Sequence, residues 1–276
     1  MKIVPAPLFQ QSPSPLLKSE QVAAFHREGM IVVKGIFDHA AIRRMSAGFD
    51  RLRLKATRLA LQGRSGMVES EGAQFVIDRD PASGVRIRRV VWCGAADDVL
   101  DRFGEDPWLV EIVGQLLGSS EMEHLIHQAH FKLPDDGVAF PWHQDSAHRR
   151  YGTPEWTDVN GRGSFVQALA AIDEMHADNG PVLWIPGSSA RGHLTPAPGT
   201  RELPIGSVNP SDARPLLLCA GDVAFFGPYT IPGSRPNTSA SARRVFVNGF
   251  ASPGANRRVY PGAEAGAGRR VSVRST

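Results

Sequence analysis

A histidine and an aspartate two residues apart, His143 and Asp145 in the run FPWHQDSAHRRYG, are the side chains in this chain best suited to hold a metal. On an extended segment residues i and i+2 face the same side, so an imidazole and a carboxylate there converge on one point. A second His-x-Asp pair, His176 and Asp178, lies in EMHADNGP, where Asn, Gly and Pro mark a turn, and it reads as solvated turn chemistry. Taken alone, the first pair is open to two readings, a metal site or a surface turn. The strand predicted before it, and Trp142 as a shield beside it, give it the better context.

The elements that must position such a pair follow from local pattern. Ser19 is expected to cap a short helix running to about His26 and stopped by Gly29, and MIVVKGIF reads as a buried strand. Asp38 caps an amphipathic helix to about Leu61. Asp106, Pro107 and Gly118 bracket a third helix, with Leu109, Ile112, Val113, Leu116 and Leu117 on one face. After residue 120 the pattern changes to short apolar runs bounded by Gly, Pro, Asn and Asp: HLIHQAHFKL, SFVQALAAI, GPVLWIPGS, RPLLLCAGDVAFF and RRVFVNGFAS. That spacing predicts an antiparallel sandwich or barrel. The expectation is one α+β, mainly β, domain over 1–276: a helix-rich part at 15–118, a β core at about 120–252, and a flexible tail at about 262–276 without chemistry.

Composition narrows the function classes. Lys+Arg number 31 against 28 Asp+Glu, a net charge of +3, which describes a mixed surface and not a nucleic-acid-binding field. No strand alternates aromatic and basic residues as an RNA-binding sheet requires. Hydrophobic content of 42% and charged content of 21% fit a folded domain. The two cysteines, Cys93 and Cys219, are read as buried thiols in a reducing compartment, with no Cys-x-x-Cys spacing for zinc. The start, MKIVPAPLFQQSPSP, has too short an apolar run for a signal peptide, and no run approaches the ~20 residues that span a bilayer. A cytoplasmic protein with a small-molecule substrate is expected, without nucleic-acid or membrane partners.

The run WHQD, followed by VQALAAIDEMHADNGPVLWIPGSS and GDVAFFGPYTIPGSRPNTSASARR, resembles the phytanoyl-CoA dioxygenase family. The likeness covers about residues 120–250 and, more loosely, the helical half. It implies a double-stranded β-helix (a cupin-like jelly roll), Fe(II), 2-oxoglutarate as cosubstrate, and O2. Under it His143 and Asp145 are two ligands of an iron triad whose distal histidine opens a His-Gly-Ser-x-Pro-Asn run. Here Gly233, Ser234, Pro236 and Asn237 match, but Pro232 stands in the histidine slot. Arg243, eleven positions after Pro232, falls where such enzymes place the arginine that pairs with the 2-oxoglutarate C5 carboxylate, a role a planar guanidinium suits. Gln128 and Ser234 are further candidates for cosubstrate contact, Gln128 equally for a cross-strand hydrogen bond. His127 and His130 read as packing or surface residues. His148, Arg149, Arg150 and Tyr151 are candidate substrate contacts on a basic loop suited to an anion, or a solvated loop. Ser189 occupies a position where the family often has a histidine that is not a ligand.

Proline offers iron no donor and removes a backbone N–H. Three explanations follow: a native loss of the ligand, a single altered position in an otherwise active sequence, or replacement in space by Tyr229 or His193. The expected function is 2-oxoglutarate-dependent oxidation, with hydroxylation the commonest outcome, of a small and plausibly anionic metabolite. The alternative is a jelly-roll protein that binds 2-oxoglutarate or a related acid without turnover. A cupin-like sugar-nucleotide isomerase or sugar binder has no distinctive motif to support it.

Overall fold

Three aspartates start the helices. Asp38 accepts from the Ala41 N–H at 2.7 Å and opens α2 (His39–Leu61) after α1 (Ser19–Glu28) and β1 (Met30–Val33). Asp97 and Asp106 do the same for α3 (Asp98–Gly104) and α4 (Pro107–Leu117), the latter with proline in its first turn. Gly29 and Gly118 end α1 and α4 in the left-handed conformation, at φ 85° and 69°. The cap of α1 is one residue earlier than expected. Lys18 precedes the helix, its N–H bonded to the Gln21 side chain, and Ser19 is the first helical residue. The computed structural model describes residues 17–80, 84–134, 136–260 and 268–273.

The remaining elements are strands and one helical turn. In chain order they are β2 (Gly66–Ser70), β3 (Ala73–Asp80), β4 (Gly84–Val91), β5 (Glu121–Lys132), α5 (Asp145–His148), β6 (Phe165–Ala171), β7 (Val182–Trp184), β8 (Arg214–Pro215), β9 (Val223–Phe226), β10 (Pro232–Ser234), β11 (Arg243–Ala251) and β12 (Arg269–Ser272). They form an antiparallel jelly roll. A nine-stranded sheet runs β1-β9-β6-β11-β5-β4-β3-β2, with β12 beside β5, and a three-stranded sheet runs β10-β7-β8.

The large sheet is apolar on both faces, and the period of two decides which residue serves which. Val223 and Phe225 of β9, Phe246 of β11, and Val166, Ala168 and Ala170 of β6 pack under the helices. There they meet the buried stripe of α2: Met45, Phe49, Leu52, Ala56 and Leu59. The alternate residues Ala224, Phe226, Val245, Val247 and Leu169 point the other way, toward the small sheet. Pairing between β11 and β5 slips at Gly249/Phe250, with Leu125 as the extra residue. This bulge sends both Leu125 and Ile126 to the inner side and leaves His124 and His127 together on the helix side.

Several expectations need correction. The helix-rich part contains a three-stranded meander, β2 to β4, and the short α3. RPLLLCAGDVAFF is two strands, because Asp222 folds back to accept from the Cys219 and Gly35 N–H groups. Cys93 is buried but Cys219 is exposed. Part of the expected tail is strand β12, whose Arg269 pairs with Asp101 and Glu105, both at 2.7 Å; residues 261–267 and 274–276 lie outside the described residues. No helix among the described residues is long and apolar enough to cross a membrane.

His124 and His127 set a pH dependence. Their rings lie 5.0 Å apart, fully buried with Trp92, Phe246 and Phe250, and both Nδ1 atoms lack partners. Burial holds His124 well below its usual range and His127 at about 3. The unfolded chain takes up these protons below about pH 6.5 while the native state refuses them. This contribution to stability is therefore complete above pH 6.5 and declines as pH falls toward 3, by up to about 1.4 kcal/mol per pH unit for each imidazole. Urea midpoints are expected to fall between about pH 7.5 and about pH 5, and less steeply in His127→Gln.

Candidate functional site

A cavity of about 760 Å3 opens between the inner face of the large sheet and the small sheet. The alternation described above builds its wall. Each long strand sends every second residue inward: Arg89 and Val91 from β4, Gln128 and His130 from β5, Gln167 and Leu169 from β6, and Arg243, Val245 and Val247 from β11. The loop before α5 brings His143, β10 brings Pro232 and Ser234, and the 200–202 loop adds Arg201 and Glu202.

His143 and Asp145 share the cavity, though not as strand neighbours. His143 sits at an isolated bridge opposite Glu202, and Asp145 begins the helical turn α5. Gln144 between them is extended (φ −125°, ψ 143°), which preserves the same-side relation expected for i and i+2. Its side chain bonds the Tyr229 and Gly192 carbonyls at 2.7 and 2.9 Å and fixes the segment. His143 Nδ1 lies 2.8 Å from the Pro141 carbonyl. A carbonyl can only accept, so Nδ1 carries a proton, and the neutral ring then presents its lone pair at Nε2, the tautomer a metal ligand needs.

Pro232 adjoins this pair. Its carbonyl accepts the His143 N–H at 3.2 Å, and Phe140 and Ser234 exchange both backbone hydrogen bonds across the same gap. Gly233 permits the approach, since a Cβ there would lie 2.8 Å from Trp142 Cε3. Trp142 thus packs against β10 and does not shield the cavity. His193 is bonded to Ser146 Oγ through Nδ1 at 2.8 Å, and the Tyr229 ring packs edge-on against Tyr151. Neither lines the cavity beside residue 232. Among the described residues no group of three or more His, Cys, Asp and Glu side chains is placed to hold a metal ion. The donors present match two of the three protein positions of the implied iron set.

Arg243 is buried, and its Nε has no partner. Burial lowers it to about 10 against the opposing pull of Asp136 and Asp173. A second cation, which the sequence reading overlooked, stands beside it. Lys132 pairs with Arg243 in the β5–β11 register, and its ammonium donates to Ser234 Oγ at 2.8 Å, the Gly180 carbonyl at 3.3 Å and the Arg235 carbonyl. Burial first, then Arg243, brings Lys132 down to about 7. Gly180, at φ 66°, is required here because a Cβ would lie 2.6 Å from the Arg235 carbonyl oxygen. Ser234 is therefore already engaged by Lys132.

The other candidates divide. Gln128 faces the cavity and is bonded through Oε1 to His130 Nε2 at 2.7 Å. His130, expected as packing or surface, lines the cavity and is held at about 3 by burial and by Arg89 and Arg243. His148 and Arg149 line the cavity, the His148 ring 5.4 Å from that of His143. Burial, followed by His143 and nearby arginines, holds His148 at about 3. Arg150 and Tyr151 do not line the cavity. Arg150 pairs with Glu155, and Tyr151 is buried, stacked on Trp156, with its hydroxyl donated to the Gly163 carbonyl. His176 and Asp178 form a turn, as read, tied to Ser241 and Thr238.

The profile of the phytanoyl-CoA dioxygenase (PhyH) family matches residues 25–245. L-proline trans-4-hydroxylase of Streptomyces griseoviridis is 27% identical over 220 residues, 71% of this chain and 75% of that protein. The ectoine dioxygenase of Sphingopyxis alaskensis is 30% identical over 185 residues, 65% of this chain and 52% of that protein. In fold, the chain is similar to EctD from S. alaskensis, solved with 2-oxoglutarate and 5-hydroxyectoine: TM-score 0.69, 21% identity, 90% of this chain and 80% of that one. It is similar also to EvdO2 from Micromonospora carbonacea var. aurantiaca, solved with 2-oxoglutarate: TM-score 0.66, 18% identity, 91% and 98%.

Lys132→Met is expected to leave three buried oxygen acceptors without their donor and to destabilise the fold by about 3 kcal/mol, read from urea denaturation at neutral pH.

Proposed function

The chain belongs to the phytanoyl-CoA dioxygenase family, and from that membership and the cavity we propose an Fe(II)- and 2-oxoglutarate-dependent oxygenase acting as one domain on a small molecule. The observation that carries this reading is the convergence of His143, Asp145, residue 232 and Arg243 on one cavity. Fe(II), when bound, would couple oxidative decarboxylation of 2-oxoglutarate to succinate and CO2 with insertion of the second oxygen atom of O2 into a substrate C–H bond.

The protein's own part is orientation. Arg243 would receive the far carboxylate of 2-oxoglutarate, its unpartnered Nε supplying one donor. Lys132 adds positive potential beside it and ties β10 to β5, fixing the distance between that anchor and residue 232. His143 Nε2 and the buried Asp145 carboxylate would hold the metal. Pro232 leaves the third protein position without a donor, so iron is held more weakly than in a full triad. The relatives support the substrate size, since one is named a proline hydroxylase and others ectoine dioxygenases.

A second reading, a binder that holds 2-oxoglutarate without turnover, is favoured by Pro232 alone. Fe(II)-dependent succinate formation from 2-oxoglutarate, without prime substrate, separates the two on the unaltered chain and Pro232→His. The expected result is turnover raised about tenfold or more by Pro232→His; equal rates would mean that another group completes the iron site. In calorimetry Arg243→Gln is expected to weaken 2-oxoglutarate binding about tenfold or more, the worth of a charge-assisted pair. Unchanged affinity there would remove Arg243 from the cosubstrate site.

A further inference from the structure

The cavity holds more guanidinium than 2-oxoglutarate can use. Arg89, Arg149, Arg201, Arg243 and Arg258 line it against two carboxylates, Asp145 and Glu202. Arg89 Nε, Arg149 Nε and Nη1, and the Tyr260 hydroxyl are buried there without hydrogen-bond partners. No ion pair joins Arg89 or Arg149 to an acid among the described residues. Orphaned buried donors are costly, and a ligand acceptor is one way to satisfy them.

Packing fixes these side chains in place. Arg89 projects from β4 opposite His130, and with Arg149 it bears on the His148 imidazole. The Arg149 guanidinium lies over Phe165 and Tyr260, 5.4 and 5.1 Å from the ring centres. Arg258, held by the His148 carbonyl at 2.8 Å, lies over the same Tyr260 ring at 5.3 Å. Stacking on a ring face leaves the in-plane N–H groups free, so Arg149 is positioned but not satisfied. The cavity's volume of about 760 Å3 suits a drug-sized ligand and leaves room beyond 2-oxoglutarate.

We infer that Arg89 and Arg149 form a second anion pole, separate from Arg243, and that the substrate carries an oxyanion, a carboxylate or a phosphate-like group, which this pole receives. The assignment to substrate rests on the oxygenase reading of the cavity; the pole itself does not. The test is calorimetry on the full chain carrying Arg243→Gln, which removes the cosubstrate anchor from competition, titrated with sulfate and with acetate at fixed ionic strength. The unaltered chain pre-saturated with 2-oxoglutarate is titrated in parallel. One of the two anions is expected to bind saturably, and Arg89→Gln and Arg149→Gln are each expected to weaken it about tenfold or more. Preference for sulfate assigns a tetrahedral oxyanion, and preference for acetate a carboxylate.

No saturable binding of either anion, or binding unchanged in both variants, overturns the pole and leaves these donors to water. Arg89→Gln carries the test if Arg149→Gln fails to fold, since Arg149 also packs on two rings; circular dichroism checks both. A chain that binds sulfate or acetate at this pole but never 2-oxoglutarate would overturn the oxygenase reading and keep the pole.

Discussion

Two cations face each other inside this jelly roll, and much of the site follows from how their charges are accommodated. Lys132 and Arg243 are register partners on adjacent strands, both buried. Lys132 is satisfied by geometry, its three N–H donors meeting three oxygens on the 180 turn and the β10 segment. Arg243 is not so satisfied. With the acceptors around Lys132 already taken, its Nε is left without a partner, where the proposed function places an incoming anion. A buried guanidinium without an ion-pair partner is costly in an empty protein, and that cost becomes affinity when a carboxylate arrives. The same lysine ties the small sheet to the large one, so Arg243 and residue 232 are held by one network.

Pro232 is tolerated because the strand asks little of its nitrogen. It is the first residue of β10, a position where proline is compatible with a sheet, and the bond it makes toward the site uses its carbonyl. The His143 N–H and the packing of Trp142 on Gly233 depend on backbone position, not on the side chain at 232. A donor can thus be absent from this slot while the surrounding frame keeps its shape. That separation accounts for a Gly-Ser-x-Pro-Asn run that persists beside a proline.

The sequence made some features legible and concealed others for physical reasons. Capping chemistry is local, so α2 and α4 were readable from Asp38, Asp106, Pro107 and Gly118. His143 and Asp145 were singled out by type and spacing and Arg243 only by the family resemblance, and all three line one cavity. The meander was not, since GVRIRRVV and AQFVIDRD mix charge into short strands and blur the alternation that marks a sheet. With β4 unseen, Arg89 had no element to place it and no motif to announce it. Lys132 was hidden for another reason. Its partners, Gly180, Ser234 and Arg235, lie between 48 and 103 residues away in the chain. Arg150 and Tyr151 lie off the cavity because the chain turns after α5, with Arg150 in the left-handed region at φ 61° and paired with Glu155, and Tyr151 buried against Trp156, a turn that local pattern does not announce.

Charge balance bears on which ligands the cavity can hold together. Exposed Arg201 and Glu202 offset each other and are screened by solvent. What remains is Arg89, Arg149, Arg243 and Arg258 against Asp145. A 2-oxoglutarate dianion would lower the positive excess of that set without cancelling it, and Fe(II) would restore it. Under the proposed oxygenase reading, that excess would favour a substrate that carries negative charge into the same space.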